Sequence, residues 1–120
     1  MAYVLVAEDD YDIARLIEFQ LRYSRYEVTL AADGAEALTK ARGRIPDVIL
    51  VDWMMPVMDG LQVITAIKQD PDLRRVPVIL MTAKAQAQDV RAGLEAGVSA
   101  YLVKPFPLEQ LIQTIQGVLA

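Results

Sequence analysis

Cysteine and histidine are both missing from this chain of 120 residues. Without cysteine there is no disulfide, no thiolate zinc site and no dithiol redox centre. Without histidine the commonest general base and the commonest transition-metal ligand are gone. Aromatic residues are few, with one tryptophan and two phenylalanines. Long apolar runs are also missing. The N-terminal stretch Met1-Ala2-Tyr3-Val4-Leu5-Val6-Ala7 meets Glu8 at once and has no basic start, so it fits neither a signal peptide nor a membrane span. Positive charge is in deficit: 12 Lys and Arg against 16 Asp and Glu give a net charge of −4. The only tight basic clusters, Arg42 with Arg44 and Arg74 with Arg75, fit solvated loop or helix-end charges. Direct nucleic-acid binding therefore has no electrostatic footprint here. A soluble, reducing, cytoplasmic setting is the simplest expectation.

What is present is apolar material in a regular order. Hydrophobic residues make up 54% of the chain, enough for the core of one domain over residues 1–120. Short apolar runs at Tyr3–Ala7, Glu27–Ala31, Val48–Val51, Pro77–Met81 and Ala100–Val103 predict strands. Helical spacing fills the gaps. Ile13, Leu16, Ile17, Gln20 and Leu21 trace the inner face of a first helix, and Ala35, Ala37, Leu38 and Ala41 that of a second. The second is expected to start at an Asp33 cap and to end at Gly43. Leu61, Ile64, Ala66 and Ile67 mark a third helix, entered through Asp59-Gly60. Val90 and Leu94 mark a fourth that stops at Gly97, and Leu108, Leu111, Ile112, Ile115 and Leu119 a fifth. Five strand–helix units predict an α/β fold: a parallel sheet with helices on both faces.

The strand ends carry the chemistry. Glu8, Asp9 and Asp10 follow the first strand, Asp52 the third, Thr82, Ala83 and Lys84 the fourth, and Lys104-Pro105 the fifth. A carboxylate such as Asp52, closing a fully apolar strand, is not explained by packing; ligands bind at the carboxyl edge of open α/β sheets. In the doubly wound, flavodoxin-like order 2-1-3-4-5, which periodicity alone does not fix, strands one, three, four and five are neighbours. Carboxylates, a hydroxyl and an ammonium would then meet on one edge.

Four stretches in this order resemble the receiver domain of two-component response regulators. They are Val4-Leu5-Val6-Ala7-Glu8-Asp9-Asp10; Pro46 to Gly60 around Asp52; Pro77-Val78-Ile79-Leu80-Met81-Thr82-Ala83; and Ala96 to Phe106 with Lys104-Pro105. The resemblance implies that Asp52 accepts a phosphoryl group from a histidine on a partner kinase or phosphotransfer protein. It implies Mg²⁺ held by Glu8, Asp9, Asp52 and the Met54 backbone carbonyl, with Asp9 more direct than Glu8 and waters completing the shell. It gives Lys104, Thr82 and the Ala83 backbone N–H to the phosphoryl oxygens. Thr82 and Tyr101 form the switch that alters the surface of helix four, strand five and helix five for an output partner of unknown identity. It also implies a cis Lys104-Pro105 bond. No general base is needed, because the acceptor is already ionised.

Asp10 and Asp12 fit helix capping better than a metal role. Glu8 stands where many relatives carry Asp, and its longer arm still reaches a metal through water. Met54 and Lys84, two residues beyond Asp52 and Thr82, would flank the path of a water attacking the phosphoryl group, and an apolar Met54 is expected to slow that attack. Ser99-Ala100 replaces acids used in symmetric dimers of receivers joined to winged-helix domains, which weakens the case for dimers of that kind. A small Mg²⁺-dependent aspartyl-phosphate phosphatase is the alternative; Met54 stands where its general acid would be. A flavodoxin-like cofactor binder is opposed by the three acids after strand one, which repel phosphate.

Overall fold

The computed structural model describes all residues, 1–120. The elements alternate: β1 (Tyr3–Ala7), α1 (Tyr11–Tyr23), β2 (Glu27–Ala31), α2 (Gly34–Gly43), β3 (Val48–Asp52), α3 (Gly60–Gln69), β4 (Val78–Thr82), α4 (Ala87–Ala96), β5 (Ala100–Val103) and α5 (Leu108–Leu119). The five strands form one parallel sheet in the order β2-β1-β3-β4-β5. This is the doubly wound α/β fold expected.

The pleat explains why the central strands are apolar throughout. Successive side chains point to opposite faces, and both faces are covered. Leu5, Ala7, Ile49, Val51, Val78 and Leu80 pack with α2 and α3 through Ala37, Leu38, Val63, Ile64 and Ile67. Val4, Val6, Val48, Leu50, Ile79 and Met81 pack with α1 and α5 through Ile17, Leu21, Leu111 and Ile115.

Helix ends follow local chemistry. The Asp10 carboxylate accepts from the N–H groups of Asp12 and Ile13 at 3.0 and 3.2 Å. Asp33 accepts from Glu36 N–H at 2.8 Å. Asp59 and Gln62 form a reciprocal capping box, with both bonds at 2.9 Å. Gly97 ends α4 in the left-handed region, φ 102°.

Some expectations need correction. β3 runs one residue further, to Asp52, and β4 is displaced by one, to Val78–Thr82. Pro77 has no N–H to give the ladder and lies before β4, where its carbonyl accepts Ile49 N–H at 3.0 Å. Asp12 does not cap; it sits in the first turn of α1, where its charge meets the positive helix end. Leu16, Leu94 and Ala35, assigned to inner helix faces, are exposed, the two leucines at 55% and 56%.

Candidate functional site

Glu8, Asp52 and Lys104 continue the pleat parity of Val6, Leu50 and Leu102, so their side chains head for the α1–α5 side of the sheet edge. Thr82 has the parity of Val78 and Leu80, the side of α3 and α4, where Tyr101 also packs. Backbone register brings these strand ends level: Ala7 pairs with Val51, Asp52 with Met81, and Thr82 with Val103.

Carboxylate oxygens of Glu8, Asp9 and Asp52 lie within 4.8 Å of one another. Glu8 and Asp52 are buried, 2% and 6% exposed, while Asp9 is at the surface. Lys104 bridges the buried pair. Its ammonium is 2.7 Å from Glu8 Oε1 and 3.4 Å from Asp52 Oδ2. The Lys104 N–H donates to the Thr82 carbonyl at 2.7 Å, and the Lys104-Pro105 bond is cis, as the resemblance implied.

The charges perturb one another in the expected directions. Burial first, and then the Asp52 carboxylate, pushes the Glu8 carboxyl above its usual range; Lys104 opposes this and does not prevail. Asp9 is raised by what burial it feels and then by Glu8. Burial works to lower Lys104, but Glu8 and Asp52 outweigh it and the ammonium is held above its usual value. The acids outnumber the single cation among them, so the cluster has room for positive charge. The donors are all oxygen, the ligand type of hard cations such as Mg²⁺.

On the other side of Asp52, Lys84 links several groups. Its N–H donates to Thr82 Oγ1 at 3.1 Å, and its carbonyl accepts the Tyr101 hydroxyl at 2.6 Å. Its ammonium lies 4.6 Å from the centre of the Trp53 ring. The Trp53 and Tyr101 rings meet edge to face, with centroids 6.4 Å apart at 81°. Burial, and then Asp89, raises the Tyr101 hydroxyl above its usual pKa. The structure thus brings Glu8, Asp9, Asp52 and Lys104 into one cluster, and Thr82 and Tyr101 into a second group joined through Lys84. Ala83 lies at the rim, lining a groove of about 390 Å³ with Ile13, Leu16, Lys104 and Phe106. Met54, two residues beyond Asp52, is exposed.

The family model of the response regulator receiver domain matches residues 4–116. The chain belongs to that family. Its likeness to curated relatives agrees. The transcriptional regulatory protein PrrA of Mycobacterium tuberculosis is 46% identical over 117 residues, covering 97% of this chain and 49% of PrrA. The response regulator ArlR of Staphylococcus aureus strain MW2 is 36% identical over 119 residues, 99% of this chain and 53% of that protein. The receiver therefore spans about half the length of these relatives. Among solved structures, the chemotaxis response regulator CheY4 of Vibrio cholerae superposes with a TM-score of 0.94 at 37% identity, covering 99% of both chains. No helix of this receiver is long and apolar enough to cross a membrane.

Sequence reasoning missed two features of the group around Tyr101. The Lys84 carbonyl that holds Tyr101 is a backbone atom and leaves no mark in the sequence. Gly93, the one buried residue of α4, did leave one: an isolated glycine inside a helical pattern, which signals close packing.

Proposed function

We propose that this receiver takes a phosphoryl group onto Asp52 from a phosphohistidine of a sensor histidine kinase or phosphotransfer protein, and that the acyl phosphate then biases the Thr82–Tyr101 group. The supporting observation is the convergence of Glu8, Asp9 and Asp52 with the Lys104 ammonium 3.4 Å from the Asp52 carboxylate. Glu8, Asp9, Asp52 and the Met54 carbonyl would hold Mg²⁺; when bound, the ion neutralises charge on the transferring phosphoryl oxygens.

The rest is the work of this chain's residues. An Asp52 carboxylate oxygen forms the new P–O bond as the P–N bond to the donor imidazole breaks, and the ring nitrogen keeps the electron pair. No proton has to leave the attacking group. Lys104 holds a fixed cation against the phosphoryl oxygens. Thr82 Oγ1 already accepts from Lys84 N–H, which leaves its own hydrogen to donate to a phosphoryl oxygen, beside the Ala83 N–H. Transfer stops at the acyl phosphate, so the domain is a signalling acceptor, not a turnover enzyme. Its output is a change in the surface of α4, β5 and α5 that a partner protein reads in the cytoplasm. Any nucleic-acid contact of the kind that the PrrA name implies lies outside these residues.

Trp53 adjoins Asp52 and reports on the site. Addition of Mg²⁺ and then beryllofluoride, a phosphoryl mimic, is expected to change its fluorescence in two steps. Asp52→Ala should abolish the second step, together with acid-labile, hydroxylamine-sensitive phosphorylation by a small-molecule phosphodonor. A flat titration in the parent protein removes the proposal.

A further inference from the structure

α4 is seated on the sheet through a residue with no side chain. Gly93 is the only fully buried residue of this helix. A Cβ at that position would stand 3.0 Å from both Cδ2 and Cε2 of Tyr101 and 3.3 Å from Cδ2 of Leu80. Leu80 is fixed in the core between β3 and β5, whereas Tyr101 is half-buried at the sheet edge. Of the two, the Tyr101 ring is the one with somewhere to go.

The ring's present position is defined by three contacts. The hydroxyl donates to the Lys84 carbonyl at 2.6 Å, the ring meets Trp53 edge to face, and its Cδ2–Cε2 side lies against Gly93. The first two are attractive. The third is permissive, because a Cβ there would press on the ring at 3.0 Å and force it to give way. Glycine within a helix is less favourable than alanine, so helix stability alone favours alanine here. We infer that Gly93 is a positioning residue for Tyr101: its missing side chain is the berth that lets the ring turn inward and bond the Lys84 carbonyl. The inference rests on the reading of Tyr101 as part of the switch. By linkage, filling the berth must weaken whatever ligand favours the inward ring.

The test is Gly93→Ala in the full chain, with two readouts. One is the NMR cross-relaxation between the Trp53 and Tyr101 rings in the ligand-free protein. The other is the beryllofluoride affinity read from Trp53 fluorescence in Mg²⁺. The variant should lose the ring–ring cross-peak and bind beryllofluoride on the order of tenfold more weakly, the scale of one overpacked contact. In a Tyr101→Ala background the same substitution should cost nothing further. Gly117 in α5 has open space around its Cβ position, so Gly117→Ala should gain helix stability and leave both readouts unchanged. A Gly93→Ala protein that keeps the cross-peak and the parent affinity overturns the inference, as does an equal loss of affinity with or without Tyr101. A parent that ignores beryllofluoride removes the acceptor reading instead, and the cross-peak alone then decides on the berth.

Discussion

Val57 has φ 70° and is 77% exposed, in the loop that carries the chain from Asp52 to α3. The N–H of Met58 donates across it to the Pro56 carbonyl at 2.8 Å. A bond between residues two apart with positive φ at the centre is a γ-turn of the rare, strained sense. For an L-residue a strained backbone of this kind costs roughly 1–3 kcal/mol, and a β-branched side chain is among the worst at positive φ. Little burial offsets this, because the side chain is in solvent. Asn tolerates the region and adds little freedom to the unfolded chain, so Val57→Asn should raise unfolding free energy by about 1 kcal/mol. Gly removes more strain but loses about 0.4–1 kcal/mol through the unfolded state, so Val57→Gly should gain less than its strain relief suggests. A gain of that size moves the melting temperature by about 4 °C for a domain of this length. Urea denaturation measures it, and an unchanged m-value shows that the gain is one of stability. If both variants match or fall below the parent, the strain argument is wrong.

Four other outcomes are expected. Glu8→Gln should raise the melting temperature of the metal-free protein, since the ionised carboxylate is disfavoured in the fold; a lower value contradicts this. The same sign governs pH: the folded Glu8 pKa lies above 4.5, so its contribution is fully present below 4.5 and lost as pH rises through the raised value. Saturating Mg²⁺ should flatten that dependence, which a melting series across pH will show. Met54→Asn should shorten the lifetime of the acyl phosphate, because a polar residue in place of an exposed thioether can guide water; a phosphoryl group lost no faster than in the parent counts against that role. Gly60→Ala would place Cβ 2.8 Å from the Asp52 carbonyl and from Trp53 Cα. Backbone atoms give way poorly, so a loss of about 1–3 kcal/mol in urea unfolding is expected, and parent-like stability would refute it.

The strands were legible because β1, β3 and β4 are buried on both faces and so read as unbroken apolar runs. Caps at Asp10 and Asp33 were legible for a local reason: a short acid before a helical pattern has few other uses. Leu16 and Leu94 misled for one reason. Spacing identifies an apolar stripe but not how far around the helix the contact extends. Leu16 lies at the margin of the α1 stripe and opens onto the groove beside Lys104. In α4 the contact is made by Gly93, which carries no hydropathy signal, so the nearby leucine took its place in the pattern. Glu8, Asp9, Asp52, Thr82 and Lys104 were visible at strand ends. Their sheet order came from likeness to known folds, because parallel strands far apart in sequence leave no spacing rule to infer it from.

The junction at Lys84 separates two kinds of inheritance. What ties Thr82 to Tyr101 is its main chain, an N–H on one side and a carbonyl on the other, and almost any amino acid supplies both. What lies over Trp53 is its side chain, the part that mutation changes. Under the proposed function, descendants of this sequence can therefore try residue after residue at position 84 without breaking the link between Thr82 and Tyr101. Proline, which has no N–H to give, is the one substitution that cuts the wire itself.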